Sequence, residues 1–141
     1  MTSFIYLSIG FVLAVVSILT IRKLLPSWEH RFWGLALVIA AAIYVVFALV
    51  GDAQDYLPME LGGVVLYGIF AWLAIKYHLL WLAAGWALHI GWDVWLHGVE
   101  ETAYVPIGYE PMCIGFDIVI AAYIGWVVWR QSVIDREVGM G

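Results

Sequence analysis

The sequence predicts an all-α, polytopic membrane helical bundle of five transmembrane helices, with its N-terminus outside and its C-terminus inside. Three observations carry that expectation. Of the 141 residues, 65% are hydrophobic and 12% charged, and the mean hydropathy is +0.97. Soluble domains are normally about half apolar and a quarter charged, so a soluble fold of this length could not hide so much apolar surface. The apolar residues fall into five stretches near the length of about 20 residues that a crossing needs. Finally, with alternating crossings, all six basic residues fall on one side.

The first stretch, Phe4–Leu25, has no basic residue before it, and Arg22 and Lys23 close it. That order is the reverse of a cleavable signal peptide and favours a retained helix that enters from outside. Pro26 marks its end, where a missing donor costs little. The second stretch, Phe32–Val50, returns to the outer side. Pro58 opens the third, Met59–Lys76. The short connection Lys76-Tyr77-His78 leads into the fourth, Leu79–His97, and Pro106 and Pro111 bracket the entry to the fifth, Met112–Trp129. With no linker, low-complexity tract or convincing repeat, residues 1–141 read as a single domain.

Charge orients this layout. Arg22, Lys23, Arg31, Lys76, Arg130 and Arg136 share one side, which the positive-inside rule makes cytoplasmic. Eight of the eleven acids (Asp52, Asp55, Glu60, Asp93, Glu100, Glu101, Glu110 and Asp117) fall in the opposite loops or the outer halves of spans. The nine tryptophans suit interfacial belts and helix contacts. Topology accounts for every basic residue, so nucleic-acid binding is not expected. The single cysteine, Cys113, rules out an intrachain disulfide and reads as a small buried thiol.

Chemistry concentrates in the fourth stretch. His89, Asp93 and His97 are spaced by four residues, slightly more than one helical turn, and so share a face. Ionisable groups at membrane depth are costly and mark a functional site by default. Helix rise places Asp93 about 6 Å and His89 about 12 Å below His97, with Asp117 about 8 Å down the fifth span. Glu60 begins the third span on the same side. These five residues are expected to converge from three helices, with Asp52, Asp55, Glu100, Glu101 and Glu110 at the mouth. Ala83, Ala87 and Gly91 form a small-residue series on the opposite face, which predicts close approach of another helix there.

Imidazole and carboxylate together suit zinc, and also iron or manganese. The expected metal ligands are His89, Asp93, His97 and Asp117, with Glu60 as general base. Such a site would make the chain a metal-dependent membrane hydrolase acting on a lipid or other amphiphile. A cation or proton translocator working as a homo-oligomer is the second expectation, and an accessory subunit with structural polar contacts the third. A bis-His haem would need a second histidine on a facing helix at matching depth, and His30 and His78 lie at the wrong side.

The run Leu88-His89-Ile90-Gly91-Trp92-Asp93-Val94-Trp95-Leu96-His97, followed by Gly115-Phe116-Asp117, resembles an uncharacterised family of small bacterial integral membrane proteins. The resemblance covers the last three stretches and implies a bacterial cytoplasmic membrane location, without an activity. In chemistry alone, the chain is similar to the hydrolase superfamily of alkaline ceramidases and adiponectin-type receptors. Those proteins build a zinc site from His and Asp on several helices, but they have seven spans and a different motif order.

Overall fold

In a lipid environment every backbone amide must find its partner inside the chain, which leaves helices as the natural solution for long apolar runs. The computed structural model describes residues 2–99 and 104–139, and among them there is no strand. Helix α1 spans Thr2–Leu24, α2 spans Glu29–Val50, and α3 spans Leu57–Lys76 after a single 3-10 turn at Gln54–Tyr56. Helix α4, Leu80–Trp92, runs directly into a π-helix at Asp93–Val99, and α5 spans Tyr109–Gly139. Four of these, α1, α2, α3 with its leading turn, and α5, are long and apolar enough to cross a membrane. Helix α4 has 13 residues and reaches crossing length only together with the seven-residue π segment.

The ends follow local chemistry. Arg22 and Lys23 close α1 and Lys76 closes α3, where the carbonyl end of the helix dipole favours cations. Glu29 and Glu60 stand in the first turns of α2 and α3, at the positive end. Pro58 occupies the first turn of α3, where no amide donor is needed. At the entry to α5, Gly108 has φ of 86°, a left-handed conformation suited to glycine, and a Cβ there would collide with the Tyr6 ring.

Helix α1 packs on α5, α2 on α3, and α4 lies between α3 and α5. Helix α2 touches α4 only lightly, and its backbone stays away from α1 and α5, with Trp33–Phe116, Tyr44–Tyr109 and Phe47–Tyr109 ring contacts and a Tyr123–Glu29 hydrogen bond reaching across to α5. The core therefore gathers around α4: Trp33 and Leu37 of α2, Tyr67 of α3, Leu82 and Trp86 of α4, and Ile120 and Ile124 of α5 are fully buried. Outside it, apolar side chains face outward, with Phe4 73%, Leu19 66% and Val65 63% exposed. The buried residues include Glu60, His89, Asp93, His97 and Asp117. Apolar groups outside and ionisable groups inside invert the pattern of a soluble domain, and lipid is the solvent that makes it favourable.

One packing expectation is corrected. A Cβ added at Gly91 would meet nothing within 4 Å, and Ala87 is exposed, so the small-residue face of α4 is not a helix contact beyond Ala83. The close approach occurs instead between α1 and α5. A Cβ at Gly10 would stand 1.9 Å from the Met112 carbonyl oxygen, and one at Gly115 would stand 2.2 Å from that of Leu7. Two glycines facing each other's backbones let these helices touch directly.

Candidate functional site

All five ionisable residues expected to converge are at most 5% exposed, and they form two adjoining groups. The first joins α4, the start of the π-helix and α5. His89 Nδ1 lies 2.8 Å from Asp117 Oδ2, a hydrogen bond across the α4–α5 interface. The same Nδ1 is 3.6 Å from Asp93 Oδ2, beyond hydrogen-bond reach. One ligand atom from each of His89, Asp93 and Asp117 lies within 4.8 Å of the other two.

Several polar atoms of this group are not satisfied by the protein. Among the described residues, neither oxygen of Asp93 has a partner at strict hydrogen-bond geometry, although the Tyr44 hydroxyl faces it, and His89 Nε2 has none. The hydroxyls of Tyr44 and Tyr67, whose rings lie 6.1 and 4.9 Å from the His89 ring, are also without one. A buried polar group without a partner costs about 1–3 kcal/mol, and a charged one more. Such a cost is removed by a cation, and the donor set suits one. Zinc bonds of about 2.1 Å imply donor separations of about 3.4 Å in a tetrahedron. The observed 2.8 and 3.6 Å bracket that value. His89, Asp93 and Asp117 could thus hold a metal ion, with Asp117 able either to ligate or to orient the imidazole through Nδ1.

The second group contains Glu60, His97 and Tyr104. The Tyr104 hydroxyl donates to Glu60 Oε1 at 2.5 Å, and His97 Nε2 lies 3.5 Å from the same oxygen. His97, expected beside His89 and Asp93 as a ligand, is not part of their three-residue group. The physical reason is the π-helix. Its i→i+5 bonding means that four residues fall short of a full turn, where on an α-helix they exceed it, so His97 is swung to the other side of Asp93. The turn directs His97 toward α3 and Glu60. Such π segments often occur at functional sites, where they redirect a side chain.

Tyr44 connects the groups. Its ring stacks on His97 with centroids 4.1 Å apart and planes inclined by 6°. Sequence reasoning passed over Tyr44, Tyr67 and Tyr104, although a tyrosine hydroxyl inside an apolar run was a usable signal. Of the residues expected at the mouth, Asp52 and Asp55 are exposed and Glu110 is half-buried. Glu100 and Glu101 lie outside the described residues. Cys113 is half-buried on the Asp117 face of α5, near the wall of an apolar cleft. Comparison of the chain with family models, curated proteins and solved structures finds no match.

Proposed function

We propose that this is a metal-binding integral membrane protein and that its cation serves a hydrolytic reaction on a membrane amphiphile. The observation that carries the reading is the Asp93 carboxyl, fully buried within 4.8 Å of ligand atoms of His89 and Asp117 and faced by the Tyr44 hydroxyl without a close hydrogen bond. In this reading α4 and its π extension together make the fifth crossing. The positive-inside rule then puts the site in the extracytoplasmic half, with N-terminus out and C-terminus in.

A cation held by His89, Asp93 and Asp117 would supply Lewis acidity and a water acidified toward neutrality. Zinc fits the mixed nitrogen and oxygen donors best, and iron or manganese would accept the same set. The protein's own groups do the rest. In the metal-free protein Asp117 accepts the Nδ1 proton of His89, and a cation held at the separations above would take the Nδ1 lone pair in its place. Glu60, oriented by Tyr104 and faced by His97, accepts a proton as general base. The resemblance to the small bacterial membrane family rests on the His89–His97 motif with Gly115-Phe116-Asp117 after it and adds a bacterial cytoplasmic membrane as the setting.

Translocation is the weaker reading. The buried ionisable residues among those described all belong to the two groups, and none continues toward the basic end of the bundle. Elemental analysis of the detergent-purified protein tests the proposal. One equivalent of zinc, iron or manganese is expected in the native protein and background in His89→Ala. Background metal in both, after saturation with each ion, overturns it.

A further inference from the structure

A cleft of about 290 Å³ opens on the lipid-facing side where α2 stands apart from α1 and α5. Its α2 wall runs from Phe32 to Ile43, and its opposite wall is formed by α5 from Tyr109 to Asp117. Helix α2 leans on α3; Trp33–Phe116 and Tyr44–Tyr109 reach across to α5, and Ala36, Ala40 and Cys113 hollow the gap that remains. The lining is apolar, with one carboxyl, Asp117, the residue whose other partner is His89.

Dimensions decide what fits. Phe32 and Ile43 are eleven residues apart, about 16 Å of helix rise, so the 290 Å³ open to the centre of a water-sized sphere spreads to about 18 Å², or about 45 Å² of room once that sphere's radius of about 1.4 Å is added. A helix of about 10–12 Å diameter would need a cross-section of about 80–110 Å² and is excluded. A hydrocarbon chain fits the cleft. Apolar contact alone cannot hold it, because bilayer tails are as apolar as the cleft wall. Asp117 is the one carboxyl on the lining, and a chain carrying an ester carbonyl would find its partner beside it in the cation that His89, Asp93 and Asp117 would hold.

We propose that the cleft is the lateral entry site for one acyl chain of a bilayer lipid, seated so that its ester carbonyl reaches the Asp117–His89 group. This rests on the proposed metal-dependent reading and names its substrate class as an acyl lipid delivered from the membrane plane. Entry from the bilayer needs no aqueous opening, in keeping with a site whose donors are fully buried.

The experiment places the full-length protein in liposomes containing phosphatidylethanolamine with a photoactivatable diazirine midway along one acyl chain. After irradiation, adducts are mapped by mass spectrometry. Labelling of Ile39, Ile43 and Met112 is expected to exceed that of Leu61, Val65 and Ile69 on the exposed face of α3 by about tenfold. Ala40→Trp, which fills the cleft, is expected to remove the first set and keep the second, so retained α3 labelling shows that the variant is folded. Ala36→Phe serves as an independent block.

Equal labelling of both faces, or cleft labelling unchanged in both variants, overturns the proposal. Labelling obtained only with a free diazirine fatty acid overturns it as well, because the source is then not a bilayer lipid. Metal content is measured on the same samples. Background metal with cleft labelling intact is failure of the hydrolytic reading alone, and bound metal with uniform labelling is failure of this one.

Discussion

His89 and Asp117 meet at 2.8 Å across the α4–α5 interface, although 28 residues separate them in the chain. The contact fixes the imidazole ring against a helix that arrives from a different part of the bundle. It also leaves Asp93, one turn along from His89, as the carboxyl without a close hydrogen bond. One acid that holds a histidine beside a second acid makes a group that could hold a metal ion.

Asp117→Asn is expected to weaken metal binding by about 10–100-fold, the usual effect of losing a carboxylate that orients a metal-bound histidine. Asp117→Ala should do the same or more. Competition with a chromogenic chelator reads the affinity, and an unchanged affinity in both variants removes Asp117 from the site.

His97→Ala separates the two groups. Because His97 faces Glu60 and not the Asp93 carboxyl, this variant should keep its full metal stoichiometry, whereas His89→Ala should lose it. Loss of metal in His97→Ala would restore the ligand set that four-residue spacing implies. Elemental analysis of the two variants side by side decides the matter.

Asp93→Asn should leave the metal-free protein as stable as the native chain, or more so by about 1 kcal/mol, because it removes a buried charge that lacks a close hydrogen bond. The sign reverses with metal present. The native protein gains stability from bound ligand and loses it on chelation, while Asp93→Asn responds to neither. Thermal midpoints in detergent, with and without chelator, measure all four states.

Gly115→Ala should destabilise the α1–α5 pair by about 1–3 kcal/mol, since the new methyl would stand 2.2 Å from the Leu7 carbonyl oxygen. Gly68→Ala is the control, with nothing within 4 Å of the added carbon. Helix propensity alone should make that change neutral or slightly stabilising. Equal midpoints for the two variants would contradict the close packing of α1 on α5.

Orientation is open to direct measurement. In a Cys113→Ser background, cysteine placed at Ser3 should react with an impermeant maleimide added outside intact cells. One placed at Ser132 should react only after permeabilisation. The opposite result would reverse the assignment made from Arg22, Lys23, Arg31, Lys76, Arg130 and Arg136.

The helical class, the approximate limits of each element and the burial of Glu60, His89, Asp93, His97 and Asp117 were legible in the chain. They depend on local quantities: a run of apolar residues sets a helix in lipid, and an ionisable group within that run must turn inward. The division of those residues into two groups was not legible. It depends on the switch from α to π hydrogen bonding at Asp93, a choice that no propensity near Trp92-Asp93-Val94 announces and that rotates His97 toward α3. The small-residue contact was legible as a type but assigned to the wrong helix. Gly10 and Gly115 are single glycines in separate helices, and only their meeting in space makes a pair.

Composition and the order of apolar and charged residues along the chain, then, were enough to determine a helical bundle with helices apolar enough to cross a membrane and ionisable residues in its interior, because solvation acts on each residue where it stands. Which donors share a ligand, and the narrow opening beside α2, were decided by tertiary packing. Those features depend on how α4 turns and on α2 choosing α3 over α5, and such choices are made between surfaces distant in sequence.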